Sequence, residues 1–130
     1  SGGKARALLQ WDQSYSGCSW SPDGSQISFW SEKEVWITDI DGKHPRNLAK
    51  GFAPIWSSDG QSIYYTNWGP VVNQIMNIDI ETGEAKEILN AKRVLVQKVS
   101  PDGQNLLITQ FALRGIRVRS DIPTFKNLLP

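Results

Sequence analysis

Three five-residue segments constrain this chain more than anything else in it: Trp20-Ser21-Pro22-Asp23-Gly24, Trp56-Ser57-Ser58-Asp59-Gly60 and Val99-Ser100-Pro101-Asp102-Gly103. Their aspartates stand 36 and 43 residues apart. A fixed period of this length means a repeated supersecondary unit, each copy burying its apolar face against the next. The signature itself encodes a tight turn. Proline pre-sets φ, aspartate accepts hydrogen bonds from the backbone that follows it, and glycine tolerates positive φ without a Cβ clash.

The residues after each Asp-Gly repeat as well. Apolar side chains fall four and six positions after the aspartate, at Ile27 and Phe29, Ile63 and Tyr65, and Leu106 and Ile108, an alternation that predicts a strand. A second apolar run follows in each unit, Val35 to Ile40 before Asp41-Gly42, Ile75 to Ile80 before Glu81-Thr82-Gly83, and Ile116 to Ile122 before Pro123. A short basic-to-aliphatic segment closes each one: Arg46-Asn47-Leu48, Lys86-Glu87-Ile88-Leu89 and Lys126-Asn127-Leu128-Leu129. With the strand before the signature, each unit reads as a four-stranded antiparallel meander, and no long helical period interrupts it. One repeat of this length suits one blade of a β-propeller.

The five-residue signature, the apolar pair, the third strand ending near Asp-Gly and the Arg-x-Leu fourth strand resemble the repeat of TolB-type propellers, relatives in shape of WD-type repeats. Ser58 stands where that pattern has proline, and Val99 where the other two copies have tryptophan. The resemblance implies an all-β fold of three four-stranded antiparallel blades, at about 16–49, 53–89 and 95–129, with an extra strand near 5–9 formed by Arg6-Ala7-Leu8-Leu9. Three blades do not close a ring of the usual four to eight. The chain is therefore expected to be a partial propeller completed by further blades of a longer chain, or half of a six-bladed ring completed by a second copy. Arg117 and Arg119 alternate with Ile116 and Val118 and put charge on one face of the last unit, as stems lying along the sheet or as an ion-pair contact with a neighbour.

Several function classes recede on composition. Fourteen Lys and Arg against thirteen Asp and Glu give a formal charge of +1, without the basic excess that concentrates nucleic acid or anionic lipid. No apolar run approaches the ~20 residues of a membrane-spanning helix. The one cysteine, Cys18, closes no intramolecular disulfide. His44, in Asp41-Gly42-Lys43-His44-Pro45, has the setting of a solvent-facing turn rather than of a catalytic base. No nucleophile elbow, phosphate-cradling glycine loop or zinc-protease helix is present. Asp23, Asp59 and Asp102 lie a blade apart, so they read as turn formers, and a calcium site needs six to eight converging oxygens. The expectation is a non-catalytic chain with no cofactor and no metal.

If the Pro-Asp-Gly and Asp-Gly turns share one rim, the other connections share the opposite one: Gln10 to Tyr15, Ser31 to Glu34, Lys50 to Phe52, Asn67 to Gln74, Asn90 to Arg93 and Ala112 to Gly115. Variable loops on a regular scaffold carry recognition. They hold Trp11, Tyr15, Trp68, Asn73, Arg93 and Arg114, rich in the aromatic and arginine types that dominate interface energetics. Trp11 and Trp68 could instead cap the core. Trp20, Trp30, Trp36 and Trp56 are expected to pack between blades. The partner expected is a protein or peptide. TolB-type propellers resemble adaptors, so the resemblance implies a protein-binding scaffold, and it favours a periplasmic or extracytoplasmic location. The alternatives are an accessory, substrate-gating propeller of a larger peptidase and a sensory domain of a larger regulator.

Overall fold

The computed structural model describes residues 3–7, 14–112 and 115–119, and its regular structure is entirely β. Eleven strands run in order: β1 Tyr15–Trp20, β2 Gln26–Ser31, β3 Glu34–Asp39, β4 Arg46–Lys50, β5 Phe52–Trp56, β6 Ser62–Asn67, β7 Asn73–Asp79, β8 Ala85–Ala91, β9 Val94–Val99, β10 Leu106–Ala112 and β11 Gly115–Arg119. They form two four-stranded meanders, β1-β2-β3-β4 and β5-β6-β7-β8, and a three-strand group, β9-β10-β11, all antiparallel. Three consecutive blades are thus present. The fourth strand expected at Lys126 to Leu129 lies outside the described residues. Residues 3–7 carry no strand, and the rest of the expected 5–9 strand also lies outside them.

The sequence signature becomes the same turn three times. The Ser21 hydroxyl donates to the Asp23 carboxylate at 2.7 Å and accepts from the Gln26 N–H at 2.9 Å. Ser57 does so with Asp59 and Ser62 at 2.6 and 3.1 Å, and Ser100 with Asp102 and Asn105 at 2.6 and 2.9 Å. Each glycine has positive φ, from 72° to 74°, and returns its N–H to the serine carbonyl. Neighbouring turns also touch. A Cβ added to Gly60 would meet the Pro22 ring at 3.5 Å, and one added to Gly103 would collide with the Ser58 hydroxyl.

Blades join through two apolar layers. Val35 and Ile37 of the first blade pack with Trp56, Ile63, Tyr65 and Ile78 of the second. Tyr64, Ile75 and Ile88 of the second pack with Val94, Val96, Leu106 and Ile108 of the third. Polar groups cross the same boundaries: the Trp56 indole N–H donates to the Ser19 carbonyl at 3.2 Å, and Arg46 reaches the Ile80 carbonyl at 2.9 Å. The Val96 N–H donates to the Thr66 hydroxyl at 3.3 Å.

The tryptophans divide where the sequence treats them alike. Trp56 is 6% exposed, Trp30 and Trp36 are half-buried, and Trp20 is 62% exposed. Trp20 is therefore not a blade-to-blade packing residue in this chain. Ile27 and Phe29, paired opposite Trp20 and Trp36 in the same blade, are nonetheless 7% and 1% exposed. Among the described residues of the first blade, the exposed large apolar side chains are Trp20 and Ile40.

Candidate functional site

The two ends of the blades differ in kind. At one end, the signature turns and the Asp-Gly hairpins hold their own carboxylates. The Ser25 N–H, then the Ser25 and Ser21 hydroxyls, draw the Asp23 pKa down to about 2. The Ser57 hydroxyl and the Gln61 N–H lower that of Asp59, and the Ser100 hydroxyl and the Gln104 N–H that of Asp102. Asp41 and Asp79 are lowered chiefly by the N–H groups of Lys43 and Thr82. A carboxylate committed to its own turn in this way is no general acid, which requires a raised pKa. His44 is exposed and meets Asp39 at 2.9 Å on this same end. Among the described residues no three His, Cys, Asp or Glu side chains gather as a metal site would require.

At the other end, the connections are tighter than the sequence suggests. Ser31 to Glu34 is a two-residue hairpin whose central residues Glu32 and Lys33 both have positive φ, 51° and 66°, a conformation usually given to Asn-Gly. Arg93 stands at 56° in the turn before β9. Among the described connections of this end, the stretch between β6 and β7 forms the longest loop, and it presents Trp68, 60% exposed, and Val71, 71% exposed. Trp68 is held rather than loose. Its ring stacks on Phe52 with centroids 4.3 Å apart and planes at 24°, and Phe52 meets Trp30 edge-on at 5.9 Å. Phe52 is buried, so the row Trp30, Phe52, Trp68 leads from the first blade's β2 across β5 to the rim.

Of the residues expected to meet a partner, the structure brings Trp68 and Arg93 to this rim with exposed side chains. Asn73 is a correction. It begins β7, is 8% exposed, and its amide donates to the Val94 carbonyl at 3.3 Å, tying the second blade to the third. Tyr15 is also no loop residue, since it pairs with Ser31 as the first residue of β1. Trp11 and Arg114 lie outside the described residues. Sequence reasoning missed Val71, whose signal was its place beside Gly69-Pro70 in the one long loop.

Two clefts lie away from the rim, along β1, β5 and β9, which run side by side as the innermost strands. One of about 360 Å³ opens at the signature-turn end among Ser19, Trp20, Trp56, Gln97, Lys98 and Val99. The other, about 310 Å³, follows the same strands past Gly17, Cys18, Pro54 and Leu95. A smaller one of about 260 Å³ lies at the variable rim among Ser14, Ser16, Trp30, Glu32 and Lys33.

No protein-family model and no curated protein matches the chain. Solved structures do. TolB from Acinetobacter baumannii superposes with a TM-score of 0.72 at 19% identity, over 85% of this chain and 30% of its own. An oligogalacturonate lyase solved with manganese gives 0.69 at 20% identity, over 96% and 37%. The β-propeller domain of the Trilobed protease from Pyrococcus furiosus gives 0.64 at 20% identity, over 86% and 41%. The chain thus spans well under half the length of each. These proteins share architecture and differ in activity, so the likeness carries the fold and leaves function to the site. The described residues have the fold of TolB-like β-propeller blades.

Proposed function

We propose that this chain is a non-catalytic, protein-binding segment of a propeller, and that it takes a peptide or a protein loop on its variable rim. One observation carries the reading: Trp68 is 60% exposed yet fixed by stacking on a buried ring, Phe52. A preordered aromatic loses little rotamer freedom when covered, which is what makes such residues energetic centres of interfaces. Val71 in the same loop extends the apolar surface, and the aspartates of the opposite rim support the non-catalytic part because their carboxylates are spent on turns.

The test is selection from a displayed library of random peptides against the folded chain and against Trp68→Ala. Peptides should be enriched on the parent and lost on the variant, while the variant's unfolding free energy changes by no more than the ~0.5–1.5 kcal/mol of one stacked pair. Enrichment that survives Trp68→Ala would remove the rim from consideration and point to the inner-strand clefts.

A second reading, an accessory propeller of a larger peptidase, draws on the likeness to the Trilobed protease domain. Gating would use the passage along β1, β5 and β9 rather than Trp68. Peptides selected through Gln97 and Lys98 would favour it.

A further inference from the structure

The two rims differ in their balance of charge. The turn rim holds Asp23, Asp41, Asp59, Asp79, Glu81 and Asp102, against Lys43, which meets Asp41 at 3.7 Å, and Arg46, which donates to the Ile80 carbonyl. The variable rim holds Lys33, Lys50, Lys92 and Arg93, all exposed, and none has a carboxylate partner among the described residues. Among the described acids near that rim, Glu32 and Glu87 are exposed and Glu34 is half-buried. The Glu87 carboxylate, on the third residue of β8, accepts from Gln74 at 2.8 Å and Asn90 at 3.2 Å.

The cations flank the aromatic loop. On one side the Gly51 N–H donates to the Lys33 carbonyl at 2.8 Å, which places Lys33 and Lys50 beside Phe52, the ring under Trp68. On the other, Asn73, where the Trp68 loop ends, bonds the backbone of Val94, next to Arg93. Lys33 and Arg93 also occupy positive-φ positions, where glycine or asparagine would relieve the strain.

Resting on the reading of the variable rim as the binding surface, we propose that its partner is an acidic peptide segment with a central apolar residue. The apolar residue covers Trp68 and Val71, and carboxylates on either side meet the Lys33–Lys50 pair and the Lys92–Arg93 pair. Charge complementarity of this kind sets partner choice and association rate. A long polyanion fits less well, because the cations form two short clusters interrupted by an apolar loop rather than a continuous track.

The experiment uses a fluorescent synthetic peptide with Asp and Glu residues flanking a central Pro-Leu-Phe, the same peptide with Asn and Gln in place of the acids, and a single-stranded oligodeoxynucleotide. The acidic peptide should bind at least about tenfold more tightly than its amide twin, with an affinity that weakens as salt rises past the ~10 Å screening regime. The doubly reversed variant Lys33→Glu with Arg93→Glu should lose that preference, and Trp68→Ala should weaken both peptides alike. Equal binding of the two peptides, still dependent on Trp68, would overturn the acidic partner and leave the rim reading standing. Binding that ignores Trp68 would overturn both. Tighter binding of the oligonucleotide than of the acidic peptide would assign the basic clusters to nucleic acid and end the proposal.

Discussion

Trp20 and Trp56 occupy the same place in the same turn, yet one is 62% exposed and the other 6%. Around them the local structure is alike. Ser21 and Ser57 are 5% and 7% exposed and make the same pair of hydrogen bonds, and both glycines sit at the same φ. What differs is the neighbour. Trp56 has Val35, Ile37 and the Ser19 carbonyl of the preceding blade against it, and Trp20 has no preceding blade among the described residues. The repeat therefore encodes two separable things: a turn complete within its own blade, and a knob that becomes core only when another blade is placed over it.

Substitution of the two tryptophans gives the largest test of that separation. Trp56→Ala should cost about 3–5 kcal/mol, a buried aromatic deletion that also takes a donor from the Ser19 carbonyl, and Trp20→Ala under about 1 kcal/mol. Urea denaturation of both variants measures the gap. Equal losses would mean that Trp20 is covered in solution.

The serines should behave in the opposite way, with matched effects. Ser21→Ala and Ser57→Ala each leave a backbone N–H and a carboxylate one partner short, at about 1–2 kcal/mol apiece, with similar values expected because each turn is self-contained. Acid should act on the same turns. Their aspartates have folded pKa values below the unfolded ones, so the stability they add is complete above about pH 4 and is lost as the pH falls through the folded values, near about 2 for Asp23. In Ser21→Ala and Ser57→Ala, where the carboxylate has lost a hydrogen bond that lowers its pKa, that loss should be smaller and should end at higher pH, which a pH titration of the unfolding midpoint reads directly. A melting midpoint flat between those values would remove the carboxylates from the account.

The smallest expected effect concerns the inner strands. Gly17 and Ala53 are equivalent positions, and both have positive φ, 63° and 54°. Ala53→Gly should stabilise by about 0.5–1 kcal/mol through relief of that strain, less the entropy glycine gives back. Gly17→Ala should go the other way, because its Cβ would come within 2.7 Å of the Trp30 ring. Thermal melts of the two variants should move in opposite directions.

How much of this was readable beforehand follows the same division. The Ser-x-Asp-Gly turns, the strand alternation and the blade count were legible because they depend on residues within a few positions of one another. The fate of Trp20 was not, since burial depends on a neighbouring blade that a local pattern says nothing about. Asn73 misled for a related reason: an amide at the end of a polar loop looks available until the fold sets the Val94 carbonyl 3.3 Å away. Trp68 was legible as a candidate, but its stacking on Phe52, sixteen residues earlier, was not. The pairing of Glu32-Lys33 with a hairpin that favours Asn-Gly was hidden by composition alone.

Each blade begins with a strand that has a hydrogen-bonded neighbour on one side only, since β1, β5 and β9 stand at the ends of their sheets. Such edges are templates on which foreign strands grow. Here side chains intercept backbone groups of these strands: the Trp56 indole takes the Ser19 carbonyl, the Asn73 amide the Val94 carbonyl, and the Thr66 hydroxyl the Val96 N–H. The bonds that couple one blade to the next thus also guard against aggregation. A substitution at Asn73 or Thr66 would do more than loosen the blades, because it would return main-chain groups of β9 to any extended polypeptide that passes.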